Sequence, residues 1–481
     1  MTMSDISLES KLQKYGQEHL LRWEQELDER ERECLYRQID EIDFLQIQQL
    51  LEKRTNSSDV AASGTNHHAE LAFRAKQPAS LIRLPQTDAD HELRQQAFQK
   101  GEELLRAGKV GAILVAGGQG SRLGFEHPKG MFPIGPVTGN PLFQILAEQL
   151  LARSRRANCS IPYFIMTSDA THEETVLFFK KNAYFQLNPA DVFFFMQGTM
   201  PAVDEKTGRI LLAEKGQIAR SPDGHGGMLN ALSASGMLEE MKNRGVEYLY
   251  YHQVDNPAAI VCDPEFLGLH VMRGSEFSTK VVAKRDPLEK MGVVVSVDGR
   301  TQILEYSNLP PDMAANVDEN GAPLFWAGNT AIHLMNRSFL ERLVEQENSL
   351  PFHLAHKKVP YINDNGNRVE PNSPNAFKFE KLIFDALPQA KSALVVETDR
   401  QREFHPVKNS AGNDSPETAR AALSALFTSW LNEAGAHVAE NVMVEVSPLF
   451  ALDAEELKKQ IPAGTIIEQP TAFTEETSKD V

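Results

Sequence analysis

Apolar positions along this chain keep two rhythms, and the change from one to the other divides it. From Leu8 to Leu50 they fall at helical spacing among dense charges: Leu8, Leu12, Tyr15, Leu20, Trp23 and Leu27, then Leu35, Ile39, Ile42, Leu45 and Leu50. Stripes of this kind predict amphipathic helices. The polar run Thr55 to His68 follows and reads as a loop or linker, with the adjacent His67 and His68 solvated. From Val110 to about Glu397 short apolar runs alternate with helical patterns, which predicts an α/β architecture. The unbroken run Ile113 to Ala116 predicts a strand buried on both faces of a parallel sheet, with further strands at Tyr163–Thr167, Val192–Met196, Tyr248–Val254 and Thr279–Ala283. Val293–Val297 and Gln302–Leu304, joined through Asp298-Gly299, predict a hairpin.

Helix starts are signalled as well. Asn140 before Pro141 reads as a cap ahead of Leu142, Ile145, Leu146 and Leu150, and Thr171-x-x-Glu174 as a capping box before Val176 and Phe179. Met228 to Leu232 is a helical run, and Ser415-Pro416 is an N-cap and first-turn pair opening a helix through Trp430. Val442–Val446 and Gly464–Ile467 are β-like and suggest a small C-terminal domain. The expected organisation is a helical region over 1–100, an α/β domain over 101–400 and a small domain over 401–481.

Charge narrows the partners. With Lys+Arg 49 and Asp+Glu 66, the balance is 49 − 66 = −17, which disfavours nonspecific attraction to a nucleic-acid polymer or an anionic membrane. An anionic ligand must therefore be held by local cations. Cys34, Cys159 and Cys262 stand apart with no paired spacing, which suits a reducing compartment. No signal pattern opens the chain and no window approaches 18 consecutive apolar residues, so a cytoplasmic protein is expected.

The candidate chemistry centres on Val110 to Gly135. The strand there runs into Gly117, Gly118, Gly120 and Ser121, flanked by Arg122 and Lys129. Glycines admit positive φ and carry no Cβ, so successive N–H groups can converge on an anion, and the two cations can neutralise phosphate oxygens. A nucleoside triphosphate is the first reading, set against a plain glycine turn with two solvated cations. The dinucleotide fingerprint fails, because Leu123 stands where its third glycine belongs and no Asp or Glu lies between Glu126 and Glu148. The Walker A pattern fails as well, because Gly124 precedes Phe125 and Lys129 precedes Gly130.

Two further stretches carry chemistry. Pro222-Asp223-Gly224-His225-Gly226-Gly227 packs glycines around polar side chains just before a helix, as a loop passing close to a sugar ring or a base would, or as a helix-entry turn would. Tyr248 to Asn256 ends an apolar strand in Val254-Asp255-Asn256. A carboxylate at the carboxyl edge of a parallel sheet sits where such sheets bind ligands and suits Mg²⁺ against phosphates; the alternative is an Asp-Asn turn.

Taken in order, Gly117 to Lys129, Met196-Gln197-Gly198, the 222–227 loop, Val254-Asp255-Asn256, Glu305-Tyr306-Ser307, Ala327-Gly328-Asn329, Pro351 to Lys358, Lys378 to Asp385 and Pro406 to Asn409 resemble the eukaryotic-type UDP-N-acetylhexosamine pyrophosphorylases. The likeness spans about 300 of the 481 residues and reaches the tail around Glu445 to Leu449. It implies a Rossmann-like, GT-A-like nucleotidyltransferase domain with a mixed, mostly parallel sheet, a helical N-terminal part and a small β-rich C-terminal domain. It implies uridylyl transfer from UTP to a sugar 1-phosphate, giving a UDP-sugar and pyrophosphate, with N-acetylglucosamine 1-phosphate as the sugar substrate. Residue by residue, Ala116, Gly117, Gly118 and Gly120 with Arg122, Lys129, Lys378 and Lys408 are assigned to the phosphates, and Gln197 and Gly224 to uracil. His225, Glu305, Tyr306 and Asn329 are assigned to the sugar, and Asp255 to UTP and Mg²⁺; Arg122, Lys129 and Lys408 are the catalytic cations.

Two positions depart from the pattern. His225 replaces the Asn usual after Pro-Asp-Gly, as in UDP-glucose and UDP-sugar pyrophosphorylases, and Trp326 stands where F-N-A-G-N is usual, both near the expected sugar site. A UDP-glucose or broad UDP-sugar pyrophosphorylase is therefore the competing enzyme reading, and a nucleotide-sugar sensor the competing non-enzyme one. An ordinary imidazole titrates near pH 6.5, so sugar preference is expected to drift between pH 6 and 8 if His225 touches the sugar. The sequence carries no signal for a particular oligomeric state.

Overall fold

Long apolar runs without alternation need cover on both faces, and the chain supplies it by burying one mixed sheet between helices. A computed structural model describes residues 3–58, 70–307, 309–319, 321–346 and 349–476. The main sheet has ten strands, numbered here in chain order: β1 (Leu81–Ile82), β2 (Val110–Val115), β3 (Tyr163–Thr167), β4 (Val192–Met196), β5 (Tyr248–Gln253), β6 (Phe277–Ala283), β7 (Val293–Val297), β8 (Arg300–Leu304), β9 (Ala327–Asn336) and β10 (Ala393–Glu397). Their order is β1-β10-β6-β9-β5-β2-β3-β4, with β7 joined to β8 and β9. Along that row only β9 runs antiparallel to its neighbours, β5 and β6. The α/β expectation of a mostly parallel sheet holds.

Sequence set these strands locally. In β2 every residue but the last is buried, and in β3 all are, as their uninterrupted apolar runs require. The hairpin of β7 and β8 closes through Asp298 at φ 50° and Gly299 at φ 79°, the two consecutive positive φ values of a tight primed turn. Helices Asp88–Arg106 and Pro264–Met272 pack backbone to backbone: a Cβ on Gly101 would lie 1.8 Å from the Pro264 carbonyl oxygen, and one on Gly268 1.8 Å from that of Ala97. Beyond β10, helix Pro416–Glu433 starts at a capping box of Ser415 and Thr418. It covers two short parallel pairs, His437–Val438 with Ile466–Ile467 and Val444–Val446 with Thr471–Phe473, around a core of Leu431, Val444, Phe450, Leu457 and Phe473.

The contacts divide the chain into two compact units. One is Ala72–Met196, Ala231–Glu347 and Ala386–Val481; the other is Met1–Leu71, Gln197–Asn230 and Asn348–Asp385. In the second, helices Met3–Lys14, Glu29–Asp40 and Phe44–Ser58 pack Leu12, Leu35 and Ile39 against Val203, Ile210 and Phe379. Gln17 accepts from the Ile210 N–H at 2.9 Å and donates to the Gly208 carbonyl at 3.3 Å. The helical preface thus shares its core with two later excursions of the chain, and the units cut the sequence elsewhere than at 100 and 400.

Some local expectations fail for identifiable reasons. Helix Leu142–Ala157 is preceded by Pro141 as its N-cap, not Asn140; the Asn140 carbonyl is taken by the N–H groups of Ile134 and Gly135. Thr171 precedes helix His172–Lys181 without capping it, because its hydroxyl accepts from the Ser168 N–H and Glu174 pairs with His127. The first four residues of the expected linker, Thr55–Ser58, continue a helix; its remainder, with His67 and His68, lies outside the described residues.

Adding one methyl at the helix crossing should be costly. Gly101→Ala or Gly268→Ala forces backbone apart, and a loss of ~2–3 kcal/mol is expected in urea unfolding; an unchanged midpoint would refute the close approach.

Candidate functional site

Parallel strands bind ligands outside their carboxyl ends, at the point where successive connections diverge. From β2 the chain goes outward to β3, while β5 lies on the other side of β2, so the divergence falls between β2 and β5. Their register pairs Val115 with Gln253, and the Val254 N–H donates to the Val115 carbonyl at 3.1 Å. Asp255 therefore emerges beside Gly117. The loop after β2 is tied back on itself, with the Gly120 N–H on the His127 carbonyl at 2.9 Å and the Lys129 N–H on the Gly118 carbonyl at 3.0 Å. The Ser168 hydroxyl, at the end of neighbouring β3, donates to the Gly117 carbonyl at 2.8 Å.

The glycines of this loop are not needed for positive φ, since Gly117, Gly118 and Gly120 all have negative φ. Gly120 has no room for a Cβ, which would sit 2.8 Å from Phe125. At Gly118, which is exposed, a Cβ would meet none of the described residues within 4 Å, so that part of the loop is open to a ligand.

Lys408 is placed by the same edge. The Val407 N–H donates to the Asp255 carbonyl at 2.8 Å, and the Lys408 N–H to the Asp414 carbonyl at 2.7 Å. The next residue of the strand end, Asn256, donates to the Glu403 carbonyl at 2.8 Å and accepts from the His405 N–H at 3.1 Å. Glu403 is buried and binds Lys280 and, at 2.5 Å, the Thr398 hydroxyl; Lys280, 2% exposed, also binds Asp263 at 2.7 Å. Burial alone would pull the Lys280 ammonium down, yet Asp263 and Glu403 outweigh it and raise it above its usual value.

Arg122, Lys129 and Lys408 form no ion pair among the described residues, nor does Lys378 in the other unit. In a chain with 66 acidic residues and many paired arginines and lysines, such as Arg94 with Glu265 and Arg244 with Asp191, this is a selective omission. The Asp255 carboxylate likewise takes no cation and no hydrogen bond from the described residues, and they hold no group of three metal-ligating side chains. A single carboxylate with phosphate oxygens is an Mg²⁺ donor set.

A second group of expected residues gathers on the β7–β8–β9 edge. The Asn329 N–H donates to the Gly292 carbonyl at 2.8 Å, while a Cβ at Gly292 would meet Glu305 at 2.8 Å. Gly292 thereby brings Glu305 and Asn329 together, with Tyr306, 49% exposed, next to Glu305. Trp326 is engaged in packing: its indole N–H donates to Gln77 at 2.6 Å and Arg83 stacks 3.9 Å from the ring centroid.

Gln197, Gly224, His225 and Lys378 belong to the other unit. The 222–227 loop owes its glycines to internal packing more than to open space. A Cβ at Gly224 would meet the Lys381 backbone at 2.4 Å, one at Gly226 the Leu382 N at 2.6 Å, and one at Gly227 the Asp223 carboxylate at 1.9 Å. The buried Asp223 carboxyl is pushed up to about 6 by desolvation, against the opposing pull of Lys381. His225 accepts the Ile383 N–H on Nδ1 at 3.3 Å, which fixes the neutral tautomer with its proton on Nε2. Burial, helped by neighbouring His353, lowers the imidazole to about 4. The expected drift of His225 between pH 6 and 8 therefore has no titration behind it.

Sequence reasoning missed Ser168 and Val407, which orient Gly117 and Asp255. Ser168 had one available signal, its place just past the strand Tyr163–Thr167. Val407 falls inside the Pro406–Asn409 stretch, but its backbone N–H, which makes the contact, leaves no mark in the sequence.

A family profile described as UTP–glucose-1-phosphate uridylyltransferase matches residues 66–475. The chain is 34% identical over 504 residues to UDP-N-acetylhexosamine pyrophosphorylase-like protein 1 of Mus musculus, covering 99% of this chain and 98% of that one. It is 38% identical over 373 residues to UDP-N-acetylglucosamine pyrophosphorylase of Saccharomyces cerevisiae, covering 75% and 78%. Among solved structures it resembles the uridine diphosphate N-acetylglucosamine pyrophosphorylase of Trypanosoma brucei in complex with inhibitor, with a TM-score of 0.78 and 25% identity over 98% of this chain and 99% of that one.

Protonation yields a testable outcome. His225, His252 and His270 are lowered by burial to about 4, 3 and 4. Their unfolded counterparts take protons below about pH 6.5, so the stability they contribute is complete above that pH and declines as pH falls toward 4. His225→Asn should make the decline in unfolding free energy shallower. The ratio of kcat/KM values for two sugar 1-phosphates should stay constant from pH 6 to 8; a sloping ratio would mean that a charged imidazole forms.

Proposed function

The chain belongs to the UTP–glucose-1-phosphate uridylyltransferase family, and on that footing we propose that it joins UTP to N-acetylglucosamine 1-phosphate, releasing UDP-N-acetylglucosamine and pyrophosphate. The family supports uridylyl transfer; the names of the mouse and yeast relatives support the sugar. The observation that carries the reading is the open glycine loop between β2 and Asp255, attended by cations that no carboxylate among the described residues neutralises.

In the proposed reaction an oxygen of the sugar 1-phosphate attacks the α-phosphorus in line, forming one P–O bond as the bond to the pyrophosphate oxygen breaks. No covalent intermediate is needed, so the protein's work is to align two anions and stabilise the charge that develops. Loop N–H groups from Ala116 to Gly120, with Arg122, Lys129, Lys378 and Lys408, hold the phosphates. Gln197 offers one donor and one acceptor to a uracil edge, with Gly224 beside it. Asp255 would hold Mg²⁺, whose chemistry when bound is to neutralise phosphate oxygens. Glu305, Tyr306 and Asn329 are assigned to the sugar with His225, whose neutral ring presents an Nε2 proton and no charge.

A UDP-glucose or broad UDP-sugar pyrophosphorylase remains the second reading, favoured by His225 in the position after Pro-Asp-Gly. Isolated cysteines support a cytoplasmic location, and the described residues form no helix long and apolar enough to cross a membrane.

Pyrophosphate release with UTP, Mg²⁺ and a panel of sugar 1-phosphates tests the assignment. N-acetylglucosamine 1-phosphate should give the highest kcat/KM, and His225→Asn should shift its ratio to glucose 1-phosphate by roughly tenfold, about 1.4 kcal/mol. Preference for glucose 1-phosphate would select the second reading, and no pyrophosphate from any sugar would leave a sensor. Arg122→Ala and Lys129→Ala should each lower kcat/KM by a factor equivalent to ~2–4 kcal/mol while the urea midpoint stays put. Full turnover in the folded double variant would reduce the loop to a structural turn.

A further inference from the structure

The segment following Lys129 is a tight hairpin, and its tip is gripped by a residue more than 300 positions away in sequence. The Ile134 and Gly135 N–H groups donate to the Asn140 carbonyl at 3.0 and 2.9 Å, and the Leu142 N–H donates to the Phe132 carbonyl at 3.1 Å. At the tip, one oxygen of Glu445 accepts from the Val137 and Thr138 N–H groups, each at 2.8 Å, and the other from the Thr138 hydroxyl at 2.7 Å. Arg420 holds the base of the same hairpin, donating to the Pro133 carbonyl at 2.7 Å.

The strand period explains why Glu445 points there. Val444 and Val446, 0% and 2% exposed, face the C-terminal core, so the residue between them faces away from it. Glu445 is 5% exposed and has no cation among the described residues. A buried carboxylate in that state depends on its hydrogen bonds, and the three described donors to it are those of the hairpin. The grip is also close. A Cβ on Gly135 would meet Glu445 at 2.8 Å and the Thr138 hydroxyl at 2.7 Å. The hairpin continues directly into Lys129, since the Phe132 N–H donates to the Lys129 carbonyl at 3.0 Å and the Lys129 N–H to the Gly118 carbonyl at 3.0 Å.

We propose that Glu445 is a positioning residue for the phosphate loop: the C-terminal segment holds the 133–141 hairpin through it and so fixes where Lys129 stands. This rests on the phosphate role assigned to Lys129. A double-mutant cycle on the full chain tests it, reading kcat/KM for UTP with N-acetylglucosamine 1-phosphate alongside the unfolding midpoint. Glu445→Ala should lower kcat/KM about tenfold in the wild-type background and less than twofold in Lys129→Ala. Glu445→Gln keeps an acceptor for both N–H groups and should recover most of the loss. If Glu445→Ala does not fold, Thr138→Val removes one of the three donors and should lose about threefold, again only while Lys129 is present. Losses that multiply in the Lys129→Ala background, or no loss at all, overturn the positioning role and leave Lys129 intact. A fully active Lys129→Ala enzyme removes the role of Lys129 itself, and the inference falls with it.

Discussion

One ammonium group fixes the geometry at the carboxyl edge of the sheet. Lys280 is sealed from water between Asp263 and Glu403, and a charge so placed is tolerable only while both partners stay in contact. That requirement immobilises Glu403, whose carbonyl receives Asn256, and four residues later the chain delivers Val407 to the carbonyl of Asp255. Asp255 and Lys408 come from strand ends and loops more than 150 positions apart, and the segment that brings them together is anchored at Glu403 by this buried ion pair. The energy is spent on registration, since a well-packed apolar replacement could match such a pair for stability.

Absence of side chains does comparable work. The crossing of helices Asp88–Arg106 and Pro264–Met272 and the seat of the 222–227 loop on Lys381 and Leu382 are both backbone contacts that a single methyl would abolish. The glycines of the β2 loop divide the task, Gly120 making room for Phe125 and Gly118 leaving a space in which a Cβ would meet no atom of the described residues within 4 Å. A glycine-rich stretch thus carries two kinds of information, and only the structure separates them.

Much of this was legible beforehand. Buried strands announce themselves by unbroken apolar runs, as in Ile113 to Ala116, and the Asp298-Gly299 turn by its dipeptide, because in both cases the determinant is local. The strand-end carboxylate and the cations around the glycine loop were legible for the same reason. What escaped was set by distant partners. Thr171 looks like a helix cap until Ser168 claims its hydroxyl, and His225 looks like a physiological titrating group until burial empties it of charge. Glu445 is one more acid in an acidic chain until the hairpin it grips is in view. The helical preface was legible as helices, while its partners, two excursions far downstream, were not.

Those excursions impose an order of events on synthesis. Arg22 bonds Asp364, 342 residues later, and Leu12 shares a core with Phe377 and Phe379. At a chain growth of ~5–20 residues per second, the N-terminal helices leave the ribosome roughly 15 to 70 seconds before their last partners exist. Through that interval their apolar stripes can pack on one another and, once made, on Val203 and Ile210, but the part of the core that Phe377 and Phe379 fill stays open. Contacts of such long sequence separation also make refolding of the whole chain slow. The core around these helices is complete only once residue 379 has emerged.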